Sequence, residues 1–131
     1  MKTTTFKTML MALAMVFCTI AAQAIDKTTT KARAVIEKAA PDDWESYAKA
    51  AKMCIQKKVN LAEAKSWLDR SLEIKENAFA HEVAGDYFNI NKIYDKAVNH
   101  YVKSMMLTKQ SDFYADVSEL QKKIERTKSK I

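Results

Sequence analysis

Two stretches of this chain, 33 residues apart, repeat nearly the same pattern of small, aromatic and apolar side chains. The first runs Ala48, Ala51, Ile55, Leu61, Ala64, Leu68, Ser71, Leu72, and the second His81, Ala84, Phe88, Tyr94, Ala97, Tyr101, Ser104, Met105. A fixed period of this length marks a helical repeat array, because one unit cannot bury its own apolar face and stacked neighbours must do so. Such arrays are surfaces for holding another chain and are rarely catalysts.

The helices can be placed from punctuation. The 131 residues contain one Gly, Gly85, and one Pro, Pro41, and no alternating apolar–polar run long enough for a strand. Pattern and the scarcity of turn formers therefore predict an all-α fold of about five to six helices. Pro41 stops an N-terminal helix over 28–39, with Ala32, Val35, Ile36 and Ala39 as its apolar stripe. Asp42 with Glu45 reads as a capping box opening a helix to about Lys57, and Asn60 with Glu63 repeats the device for a helix through Ile74. Asn77 closes that helix and starts the next, which breaks around Asn89–Asn91. Asn91 then caps a helix through Met105, and Ser111 and Asp112 cap a last helix over 111–128. Its stripe is Phe113, Val117, Leu120 and Ile124.

The N-terminus carries an address. Lys2 and Lys7 precede an apolar run from Met9 to Ala22, and Ala22-Gln23-Ala24 supplies small residues two positions apart. That is the order of a secretory signal peptide over 1–24, cut between Ala24 and Ile25, and the run is too short for a spanning helix. The expected product, 25–131, is one domain with 20 basic and 16 acidic residues and so a net charge of +4. It is read as exported: periplasmic, with secreted or envelope-associated as the alternative. It has no stable membrane insertion after cleavage and no nucleic-acid partner. The basic end (Lys122, Lys123, Arg126, Lys128, Lys130) reads as a solvated last helix. Cys18 leaves with the signal, and Cys54 remains alone as a small buried hydrophobe with no disulfide partner.

These residues resemble the tetratricopeptide repeat family, a right-handed array of αα-hairpins in which small residues meet at the helix crossing and bulky ones lock it. Residues 78–108 match well, with Gly85 and Ala97 at the close contact and Phe88 and Tyr101 as the bulky pair. Residues 45–76 match in the second helix, through Leu61, Ala64, Leu68 and Ser71, whereas in the first, where Ala51 and Ile55 are the packing positions, Lys52 stands where Gly85 does. The resemblance implies that 111–128 caps the array. Trp44 to Ser71 is also similar to the helical tail that follows a β-rich domain in some exported bacterial proteins, a domain absent here.

No constellation for catalysis emerges. His81-Glu82 begins like a zinc-protease helix, but Gly85 stands where the second His belongs. His100 is 19 residues away with no further ligand at useful spacing, so both His read as packing or surface residues and no metal site is expected. Asp42-Asp43 reads as a charged helix start. No glycine-rich phosphate loop exists and no cofactor is implied. The chain reads as non-enzymatic.

The first helix of each pair lines the concave face of such arrays. Here that face would present Lys49, Met53 and Gln56 from one unit and Phe79, Glu82, Asp86 and Asn89 from the next. The one-turn pair Glu82 and Asp86 would repel a terminal carboxylate, so an apolar or mixed peptide or helix is the expected partner. The alternative is a self-associating subunit of the cell envelope, a homo-oligomer stacked through its terminal helices.

Overall fold

The computed structural model describes residues 26–131 and is all-α: six helices and, among the described residues, no strand. They are α1 (Lys27–Lys38), α2 (Trp44–Lys57), α3 (Leu61–Ile74), α4 (Ala78–Ile90), α5 (Tyr94–Ser111) and α6 (Ser118–Lys128). The expected signal peptide over 1–24 lies outside the described residues. No described helix is long and apolar enough to cross a membrane.

Helices adjacent in sequence pack together throughout. The hairpins α2–α3 and α4–α5 carry the most contact, α1 packs on α2, α6 packs on α5, and α2 also meets α4. Ala48, Ala50, Ala51, Cys54 and Ile55 of α2 join Ala64 and Leu68 of α3 and Ala80, Val83 and Ala84 of α4 in one core. Ala97 and Tyr101 of α5 form a second core with Leu120 and Ile124 of α6. Small side chains at the α2–α3 and α2–α4 crossings let the axes approach closely. At one end Arg33 of α1 forks onto Glu63 of α3, with Nε 2.9 Å from Oε2 and Nη2 2.7 Å from Oε1.

The sequence period is written into the hydrogen bonds. Ser71 Oγ donates to the Trp44 carbonyl at 2.7 Å, and Ser104 Oγ donates to the Ala78 carbonyl at the same distance. In each hairpin a buried hydroxyl on the second helix ties down the first residue of the first helix. The turns repeat too. Lys58 and Lys92 adopt left-handed backbone, with φ of 55° and 60°. Val59 N–H bonds to the Cys54 carbonyl and Ile93 N–H to the Phe88 carbonyl, the six-to-one closure of a Schellman ending.

Several helix starts differ from expectation. Asp43, not Asp42, caps α2, accepting from the Ser46 N–H at 3.1 Å. Asn60 is itself left-handed, so its side chain misses the first-turn amides and instead donates to Glu63 Oε2 at 2.9 Å. Asn91 ends α4 rather than opening α5, its Nδ2 donating to the Tyr87 carbonyl, and Ile93 takes the cap position. Asn77 does cap α4, accepting from the Ala80 N–H at 2.7 Å. The largest correction concerns the end. α5 continues to Ser111 and α6 begins only at Ser118. Asp112 spends its carboxylate on the Tyr114 N–H, and Asp116 takes the Ser118 N–H. Val117, Leu120 and Ile124 are buried as their spacing implied, whereas Phe113 lies in the loop and faces outward.

Candidate functional site

The residues assigned to packing lie in the core. Ala51, Ile55, Ala64, Leu68, Ala97 and Tyr101 are all buried, and Phe88 is half-buried against the second core. Gly85 is buried at a contact tighter than the spacing suggested. A Cβ there would lie 2.3 Å from Cδ1 and Cε1 of Tyr101, so the neighbour that demands glycine is the Tyr101 ring rather than Ala97.

The seven residues expected on the concave face are distributed over α2 and α4. Lys49 is exposed and pairs with Glu45 one turn earlier at 2.6 Å. Met53 is half-buried. Phe79 packs against the first core, with Lys52 Nζ 4.9 Å above its ring centroid. Gln56, Asp86 and Asn89 come together: with Ile55, Lys58 and Ile90 they line a recess of about 160 Å³ where α2 and α4 meet.

The charge on this face differs from the sequence reading. Lys123, from α6, reaches back to bond Glu82 Oε1 at 2.7 Å and Asp86 Oδ1 at 2.8 Å. Asp86 Oδ1 also accepts from the Tyr101 hydroxyl at 2.8 Å, and Lys130 Nζ donates to Asn89 Oδ1 at 3.1 Å. The three charges of Glu82, Asp86 and Lys123 sum to one negative, so the acidic pair repels a carboxylate far less than two free carboxylates would. Burial opposes the ammonium of Lys123, but its hydrogen bonds to Asp86 and Glu82 outweigh this and raise its pKa. Burial and the adjacent Asp86 carboxylate push the Tyr101 hydroxyl well above its ordinary range, so it stays a donor. The basic end is therefore not simply solvated, because Lys123 and Lys130 help to build this face. No pattern local to α6 signals that; it follows from α6 packing on α5.

Sequence spacing also missed a histidine pair. His81 on α4 and His100 on α5 meet with their Nδ1 atoms 3.0 Å apart, and His100 stacks on Phe88 with ring centroids separated by 5.2 Å. One Nδ1 must donate and the other accept, so the contact holds a single proton. Burial lowers the pKa of both rings; His81, Lys65 and Lys96 lower that of His100 further, and Glu76 near His81 Nε2 partly offsets the effect there. Among the described residues no three His, Cys, Asp or Glu side chains converge as a metal site. Cys54 is buried, and burial raises its thiol pKa, which leaves it a poor nucleophile.

A larger hollow of about 400 Å³ opens on another face, between the α3–α4 connection, the start of α2 and the α5–α6 loop. Trp44, Ala78, Leu107 and Ala115 line it together with Lys75 and Asp112. Comparison with protein-family models, with curated proteins and with solved structures finds no match.

Proposed function

We propose that this chain is a small exported interaction module of the tetratricopeptide type, without catalytic activity, which holds a peptide or helix of a partner protein on the face shared by α2 and α4. One observation carries the reading. Gln56, Asp86 and Asn89, from two units of the repeat, line a single recess with apolar walls from Ile55 and Ile90. Amide side chains beside an apolar recess suit a partner backbone with an apolar side chain between its polar groups. The single net negative charge that Lys123 leaves on Glu82 and Asp86 favours a mixed segment over a strongly acidic one. The signal-type N-terminus supports a site of action in the periplasm, with secretion or attachment to the envelope as the alternative.

Photo-crosslinking in cells tests it. A crosslinking residue at Gln56 should trap a discrete partner, and the same residue at exposed Glu73 on α3 should not. Absence of a discrete product at Gln56, or the same product from both positions, refutes the groove assignment.

A further inference from the structure

The proton count at the His81–His100 contact decides what the pair can do. The Nδ1 atoms are 3.0 Å apart and the ring centroids 5.2 Å, a difference close to two ring radii, so each nitrogen points almost straight at the other. Among the described residues His81 Nε2 is buried without a hydrogen bond, with Glu76 Oε1 at 3.5 Å. A bare lone pair there would face a carboxylate, so Nε2 carries the proton and His81 Nδ1 is the acceptor. His100 Nδ1–H is then the donor, and its own Nε2 is bare.

A first added proton goes to His100 Nε2. It leaves the contact intact and makes it charge-assisted. After that the only vacant ring nitrogen is His81 Nδ1, the acceptor itself. A second proton therefore sets two N–H groups and two positive charges against each other, and one ring must swing away. The surroundings do not relieve that charge. Glu76 is matched by Lys103 at 3.2 Å, and Asp69 of α3, which faces His100, is matched by Lys65 at 2.6 Å. Lys96 adds a further cation beside His100, its Nζ 5.5 Å over the Phe88 ring on which His100 stacks.

The two histidines thus pin the α4–α5 seam on its α3 side. On its α6 side the seam is held by Tyr101, whose hydroxyl bonds Asp86 beside Lys123 and whose ring fills the space over Gly85. We propose that the histidine pair is an acid-operated latch: binding of the second proton parts His81 from His100 and opens the α4–α5 seam on its α3 side, while Tyr101 holds the other side and the α2–α3 hairpin stays closed. This is a local opening, distinct from unfolding of the whole chain. It does not depend on the peptide-binding reading, because the recess of Gln56, Asp86 and Asn89 lies where α2 and α4 meet.

Amide hydrogen exchange of the purified protein at pH 7.5 and 5.0, read by mass spectrometry and corrected for the intrinsic pH dependence of exchange, tests it. Both histidines, once released, bind protons near pH 6.5, so acid favours the open form. Protection in 78–88 and 94–104 should fall at least about tenfold, while 44–57 and 61–74 should change less than about twofold. His100→Gln keeps an N–H for His81 Nδ1 but takes up no proton, so it should abolish the fall, with circular dichroism at pH 7.5 checking its helicity. His81→Gln removes the same second proton from the other ring and should act alike. No fall at pH 5.0 overturns the proposal. So does an equal fall in both hairpins, which is global unfolding, or the same fall in the Gln variants, which assigns it to other groups.

Discussion

Gly85 offers the sharpest test of how the second hairpin is held. In an unconstrained helix interior, Gly→Ala stabilises by about 1 kcal/mol. Here the new methyl would meet Cδ1 and Cε1 of Tyr101 at 2.3 Å and Cζ at 2.9 Å. Tyr101 is 1% exposed, so the ring has nowhere open to go. Its hydroxyl is bonded to Asp86, and Lys123 Nζ lies 5.4 Å over its face. Overpacking of this kind costs about 1–3 kcal/mol. A ring displaced enough to break its bond to the Asp86 carboxylate loses about 1.5–3 kcal/mol more. Set against the propensity gain, Gly85→Ala should destabilise by about 1.5–5 kcal/mol, and Gly85→Leu by more. Urea unfolding followed by circular dichroism measures the change. A double-mutant cycle with Tyr101→Leu assigns it, since the alanine should cost much less once the ring is gone. If Gly85→Ala stabilises the protein, or if its cost is the same with and without the Tyr101 ring, the contact is not what selects glycine.

Three further outcomes can be stated. The lowered pKa values of His81 and His100 mean that the unfolded chain takes up protons first, so stability is full above about pH 6.5 and declines as pH falls through that value. The thermal midpoint should drop between pH 7.5 and 5.5. A His81→Phe, His100→Phe double variant should flatten that slope, and an unchanged slope rejects the assignment. Lys123→Met leaves Glu82 and Asp86 half-buried side by side and should cost about 1–3 kcal/mol in urea unfolding, with the loss reduced at high salt; wild-type stability would show that the bridge is idle. Lys58→Gly and Lys92→Gly relieve left-handed backbone and should each raise stability by about 1 kcal/mol; a loss at either site would mean that the lysine side chain outweighs its backbone strain.

The sequence showed most of the architecture, because burial at period 33 is a local pattern that recurs. Ala51 and Ala84, Leu68 and Tyr101, and Ser71 and Ser104 occupy corresponding buried positions. Helix starts were less legible, since Asp42 and Asp43, or Asp112 and Asp116, offer the same chemistry a few residues apart and packing chooses between them. At the last helix, Val117, Leu120 and Ile124 anchor a start at Ser118, with Val117 in the cap position and Asp116 just before it holding the Ser118 N–H. The site was half legible. Gln56, Asp86 and Asn89 follow from repeat geometry, whereas Lys123 and the His81–His100 contact arise where different helices pack, and no single-helix pattern encodes that.

The way each helix leans on its sequence neighbour has a kinetic consequence. Among the described residues the longest hydrogen bonds in sequence, Lys123 to Glu82 and Lys130 to Asn89, span only 41 residues. Among the described residues no strand must find a distant mate and no long loop must close before contacts reward it. Such a chain folds from either hairpin outwards, on the microsecond-to-millisecond scale of helical proteins. The ends pay out first when it opens: α6, anchored mainly on α5, should exchange its amide hydrogens well before α2 and α4 do.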